Sequence, residues 1–307
     1  MGDRIHPDLS GKNGRRALLV REEGVAVIAV LWVSMLIMWL GLQIGTENRL
    51  LGEEQVHMIR RSQSFYLAVG GCYEAIARMG QPLPLHRDEP PDMNWQPDGQ
   101  PRVVSYETGQ ALVLVEPESE KVNVNKATPQ QLQDVLVKAG VIEDTALEIA
   151  DRIADFIDTD DIPRLNGAEK DRYERLGVGY VPFDGPLTSL DQLLLVPGVT
   201  PRILYGFGSV KSLSDDEVSG EIQIPLLPGK DSLYNLVSVH SKNTGLNSTN
   251  VEEEGTDRII TWEKGGIYRI FSCGRTAAGS PTVVICLIVR YAPDAENGYE
   301  VLYRKVF

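Results

Sequence analysis

The chain is poor in the side chains from which catalytic and metal centres are most often built. Its three cysteines, Cys72, Cys273 and Cys286, are too few and too scattered for a disulfide framework or a zinc ligand set. Cys273 and Cys286 fall in neighbouring strand-like runs, where pairing in an oxidising compartment is an open alternative to two free thiols. The four histidines stand apart from one another: His6 near the start, His57 in a helical stretch, His86 among prolines and His240 in a strand-like run. No nucleophile and base pair and no phosphate-cradling glycine loop accompanies them, so catalysis is not expected. Positive charge is also short. Thirty Lys and Arg against 43 Asp and Glu leave a net charge of −13, and a polyanion repels nucleic acid and anionic lipid at long range.

The most telling absence is local. From Val25 to Ile44 there are 20 residues without a charge or a proline. A helix of that length rises about 30 Å and crosses the hydrocarbon core of a bilayer. The run is too long for the core of a cleaved secretory signal, and small residues of a cleavage site do not follow it. Arg4, Lys12, Arg15, Arg16 and Arg21 precede the span, so the amino terminus is expected in the cytoplasm and the bulk outside it. A glycine, Gly24, stands directly before the apolar run.

Beyond the membrane the helical pattern continues to Met79 without a proline, and Ile59, Gln63, Tyr66, Val69, Tyr73 and Ile76 recur at three- and four-residue steps, predicting one apolar face for packing on a sheet or in a filament. Gly80, Gln81 and Pro82 end it. Pro82 to Pro101 reads as a surface connection, and Arg102–Tyr106 with Ala111–Glu116 as a β-hairpin. From Lys121 to about Leu213 the character changes to helical. Thr128 is placed as N-cap, with Pro129 in the first turn and Gln131 three residues on; Glu143–Ile157 forms a second helix; and Leu187–Leu204 reads as helix, Pro-Gly turn, helix. From Glu221 the pattern is β-rich, with runs at Ile222–Ile224, Leu233–Val239, Arg258–Trp262, Ile267–Gly274, Val283–Tyr291 and Tyr299–Val306. The organisation expected is therefore a leader (1–24), a membrane and post-membrane helix (25–80), a loop with the first strands (81–120), an inserted α-helical domain (121–213) and a β-rich remainder (214–307).

Two candidate sites lie in the insertion. The pattern around V-N-V-N (122–125) and the P-G-V-T-P turn (197–201) resembles helix-hairpin-helix modules, whose turns hold DNA phosphates. Glu143 and Asp144 stand where a phosphate would sit, however, and Arg202 alone supports the second turn. A scaffold role is favoured over a membrane-anchored DNA receptor, which is kept as the alternative. The second site is acidic: Asp155, Asp158, Asp160 and Asp161 lie within seven residues, followed by Glu169. Carboxylates this close repel, and a hard cation taking 6 to 8 oxygens at about 2.4 Å relieves the repulsion. Calcium is the expected ion, although Ile162 and Pro163 break an EF-hand pattern.

Together, Gly24 with its apolar run, V-N-V-N at 122–125, D-F-I-D-T-D-D at 155–161, G-A-E at 167–169 and S-L-D-Q-L-L-L-V-P-G-V at 189–199 resemble the K-type minor pseudopilins of type II secretion systems. The resemblance implies an α+β pseudopilin fold, in which a long N-terminal transmembrane helix packs on an antiparallel sheet that carries an inserted all-α domain of helix-hairpin-helix or SAM-like type. It further implies cleavage after Gly24 by prepilin peptidase, leaving Val25 as the new amino terminus, with methylation, and a place at the tip of a periplasmic pseudopilus. I-type and J-type pseudopilins and the inner-membrane secretion platform are the implied partners, and calcium at Asp155, Asp158, Asp160, Asp161 and Glu169 the implied ion. Most pilin-like subunits carry Glu at the fifth mature position; here that position is Ala29. A carboxylate at bilayer depth costs about 2.5 to 3.5 kcal/mol unless a neighbour's amino terminus pairs with it. Its replacement by Ala29 fits a subunit with nothing stacked above it.

Overall fold

A computed structural model describes residues 14–79, 95–206, 209–211, 221–223, 227–246, 262–277 and 282–307. The leader to residue 13, most of the proline-rich connection and the expected strand at 258–261 lie outside them. By its internal contacts the chain divides into two units, residues 1–59 and 60–307.

Helix α1 runs Gly14–Arg78. Within it Gly24–Gln43 forms a span of membrane length whose side chains face away from protein, which is where residues such as Trp32, Leu36 and Trp39 belong if lipid surrounds them.

In the second unit the strands β1 (Arg102–Tyr106) and β2 (Gly109–Pro117) form the expected hairpin, and β3 (Val122–Asn123) follows a 3-10 turn at Glu118–Glu120. The insertion supplies α2 (Pro129–Lys138), α3 (Glu143–Ile157), α4 (Lys170–Leu176) and α5 (Pro201–Tyr205). The short pair β4 (Ser209–Lys211) and β5 (Glu221–Gln223), then α6 (Leu233–Leu236) and β6 (Val237–Ser238), lead to the long strands β7 (Ile267–Thr276), β8 (Val283–Tyr291) and β9 (Tyr299–Val306). The main sheet is antiparallel with order β1-β2-β7-β8-β9.

Alternation along the central strands explains the layering. Ala111, Val113 and Val115 of β2, with Ile285, Leu287 and Val289 of β8, share a core with the end of α1. Leu112 and Leu114, with Val284, Cys286 and Ile288, share a second core with the inserted helices. Successive side chains on a strand point to opposite faces, so a sheet covered on both sides reads as the unbroken apolar run V-V-I-C-L-I-V.

The expected apolar face of α1 is corrected by this packing. Ile59, Gln63, Tyr66 and Tyr73 are exposed, with Val69 and Ile76 at the margin; the buried face is Ser64, Leu67, Ala68, Gly71, Cys72, Ala75 and Met79. Small residues win because the two backbones come close. A Cβ on Gly274 of β7 would lie 1.9 Å from the Ser64 carbonyl oxygen, and one on Gly71 would lie 2.4 Å from Ser272 Oγ.

Other expectations need smaller corrections. Cys273 and Cys286 are free, and so is Cys72, all three buried; Cys273 pairs in register with Val284 and Cys286 with Phe271, so the two are not cross-strand partners. Residues 233–236, expected in a strand, form α6. The first half of the 187–204 motif is a 3-10 helix at Leu190–Leu195. Here Ser189 caps Asp191 N–H, while Gln192 reaches back to Ser189 N–H.

One polar cluster fastens the insertion to the sheet, and a second lies beneath it. Asp191 accepts hydrogen bonds from Tyr205 of the insertion and from Tyr303 and Lys305 of β9. Burial opposes ionisation of Asp191, but Lys305, Tyr205 and Tyr303 hold its carboxyl below the usual range. Deeper in, the guanidinium of Arg269 on β7 meets Glu118 at 2.5 Å and donates to the carbonyls of Tyr234 and Val237. Arg269 and Glu118 are both wholly buried, and their contact is ionic rather than an aligned hydrogen bond.

Candidate cation site

The acidic residues sit where α3 ends and α4 begins. Helix α3 carries Asp151 and Asp155 one turn apart on its buried side, and Asp158 closes it. The loop 159–168 then folds back along the helix. Asn166 donates to Asp151 from its backbone N–H and its Nδ2, and Arg152 donates to the Asn166 carbonyl and the Pro197 carbonyl. Asp155 accepts the backbone N–H groups of Arg164 and Ala168, at 3.2 and 2.9 Å.

This return path explains the G-A-E run. A Cβ on residue 167 would fall 1.7 Å from Asp155 Oδ2, so only glycine fits there; Ala168 N–H then bonds Asp155, and Glu169 turns inward. Glu169 is 5% exposed, and neither carboxylate oxygen has a hydrogen-bond donor. Asp158 Oδ1 is likewise buried without a partner. Burial, then Asp155, Asp158, Asp184 and Asp161, push the Glu169 carboxyl up to about 7. Asp184 is a member the sequence did not reveal: it lies beyond α4 and has a positive φ, at 49°.

The expected ligands are therefore unequal. Asp155 and Asp158 meet on Arg164, and both, with Asp161, are near enough to act on Glu169 by their charge; Asp160 is exposed and accepts the Ile162 N–H. The donor chemistry fits a hard cation, because the orphaned oxygens are all carboxylate. Among the described residues, however, no three acidic, histidine or cysteine groups converge as a metal set. Arg164 Nη1 stands 2.5 Å from both Asp155 Oδ1 and Asp158 Oδ2.

A pH dependence follows. With its folded value raised from 4.5 to about 7, Glu169 keeps its proton in the folded chain after the unfolded chain has lost it. Its contribution is full below about 4.5 and is lost as pH rises through about 7, on the order of 3 kcal/mol. In chelator, the full chain should melt lower at pH 8 than at pH 5, and Glu169→Gln should flatten that slope. An unchanged slope in the variant places the titration elsewhere.

The remaining site residues, Gly24, Val25 and Ala29, all lie in α1 with open surroundings. A helix of membrane length leading into a segment packed on an antiparallel sheet, whose other face carries an all-α insertion, defines a pilin-like α+β subunit. The family model "Type II secretion system (T2SS), protein K" matches residues 110–206, from β2 through the insertion. Over that span the chain is similar to the type II secretion protein K family, whose members are the K-type minor pseudopilins. No curated protein matches it. Among solved structures, a chain of the GspK-GspI-GspJ complex from the type 2 secretion system of enterotoxigenic Escherichia coli is 13% identical, with 85% of this chain and 99% of that chain covered and a TM-score of 0.43. A likeness that low bears no weight alone. The family match supports a minor pseudopilin role in protein secretion, and nothing in the comparisons supports the DNA-binding alternative.

Proposed function

We propose that this pseudopilin caps a short periplasmic pseudopilus, acting by structure and assembly rather than by catalysis. The match over residues 110–206 carries the reading. The amino terminus is cytoplasmic and the bulk periplasmic, a reading supported by the basic residues before Val25. Prepilin peptidase cuts after Gly24. The cap position is supported by Ala29: a subunit with no neighbour above has no amino terminus to pair with a membrane carboxylate, and this one has dispensed with the carboxylate.

Its partners are I-type and J-type pseudopilins, as in the complex named for the similar solved chain, together with the secretion platform. Calcium in the site of Asp155, Asp158 and Glu169, with Asp160 and Asp161 at its rim, would neutralise the orphaned carboxylates and fix the 159–168 loop. Co-purification from detergent of the full chain with I-type and J-type partners tests the assignment. A ternary complex is expected. A chain that ignores both partners yet shifts duplex DNA in a salt-sensitive way overturns it.

A further inference from the structure

We propose that Arg164 is a tethered cation that holds the acidic site closed and that calcium must displace in order to bind. The inference rests on the calcium reading above and adds the residue that sets the apparent affinity.

Arg164 lies on the loop that returns from α3 to Glu169. Its Nη1 is 2.5 Å from Asp155 Oδ1 and 2.5 Å from Asp158 Oδ2, a position that neutralises the two carboxylates together. That arrangement is incomplete. Asp158 Oδ1 and both oxygens of the deeply buried Glu169 remain without a donor. A guanidinium is planar and donates along fixed directions, whereas a calcium ion gathers 6 to 8 oxygens from all sides. The orphaned oxygens are therefore those that a divalent ion would serve and the arginine does not.

The two cations also exclude each other, since each needs the same oxygens of Asp155 and Asp158. Among the described residues no three ligand groups converge, so calcium also needs the carboxylates to close in as the arginine leaves. Departure of the arginine is easy: its side chain is 35% exposed, and its neighbours Ile162, Pro163 and Leu165 are in solvent rather than in the core. The Arg164 backbone N–H stays on Asp155, so the loop has an anchor when the side chain swings out.

Competition of this kind has a defined signature. If the arginine-closed form holds nine molecules in ten, the apparent calcium affinity is about ten-fold below the intrinsic one, and calcium loosens the arginine by the same factor. The full chain in detergent is titrated calorimetrically with calcium chloride, as wild type, Arg164→Gln, Arg164→Lys and Glu169→Gln. Arg164→Gln should bind calcium about ten-fold more tightly, and its melting temperature should fall in chelator and recover in calcium by more than that of the wild type. Arg164→Lys keeps the charge without the rigid fork, and its affinity should fall between the two. Glu169→Gln should lose most of the binding. Calcium bound by Arg164→Gln no more tightly than by wild type overturns the proposal, and so does Arg164→Lys at or below wild type where the glutamine variant fails to fold. Silence from both wild type and Arg164→Gln, with both folded, defeats the calcium reading and this inference together; binding by Arg164→Gln alone is its strongest support.

Discussion

Gly274→Ala should destabilise the unit formed by residues 60–307 by about 3 kcal/mol or more, a large share of the 5 to 15 typical of a whole domain. The added Cβ meets the Ser64 carbonyl at 1.9 Å and the Ala68 nitrogen at 2.6 Å. Both are backbone atoms of a helix, so no side chain can rotate out of the way. Either α1 lifts from β7 or β7 bends, and each opens the core around Ala68, Cys72 and Ala75. Gly52 provides the control. It lies on the same helix, nothing would stand within 4 Å of its Cβ, and alanine is the better helix former by about 1 kcal/mol. Urea unfolding of the full chain in detergent should show Gly274→Ala shifted far to low denaturant and Gly52→Ala unchanged or raised. Equal midpoints for Gly274→Ala and wild type would mean that α1 is not seated as described.

The second large effect belongs to the Glu118 and Arg269 pair. Arg269→Met leaves a wholly buried glutamate without its counter-charge, and it also removes donors from the carbonyls of Tyr234 and Val237. Loss of one partner from such a pair costs about 3 to 5 kcal/mol. Glu118→Gln alone strands the cation and should cost a comparable amount. The double variant Glu118→Gln, Arg269→Met removes both charges, so it should be clearly more stable than the sum of the two losses predicts. Chemical denaturation of the four chains forms the cycle; strict additivity would show that the charges do not sense each other.

These two contacts also show where the sequence is opaque. The ends of α3, β8 and β9 agree with the runs Glu143–Ile157, Val283–Tyr291 and Tyr299–Val306, because strong periodicity marks them. The capping box at Thr128 and Gln131 is local chemistry and was readable as well. The buried face of α1 was not. A hydrophobic pattern favours Ile59, Tyr66 and Tyr73, whereas Ser64, Ala68, Gly71 and Ala75 owe their burial to glycine and serine on a strand some 200 residues away. Glu118 and Arg269 are hidden for the same reason. In the acidic site, Asp155, Asp158 and Glu169 could be read from spacing, but Asp184 and Arg164 could not: one comes from beyond α4, and the other reaches Asp155 and Asp158 only because the loop folds back along α3.

The parallel pairing of β3 with β6, Val122 beside Val237 and Asn123 beside Ser238, bears on the order in which the molecule comes together. β2 must find β7 across the whole insertion, as Leu114 finds Phe271, and closing so long a loop in an open chain is slow and entropically costly. Once the inserted helices have collapsed and drawn β3 against β6, most of that distance is already gone. The domain that distinguishes this subunit from a plain pilin is thus also the clasp that brings its central strands within reach of each other.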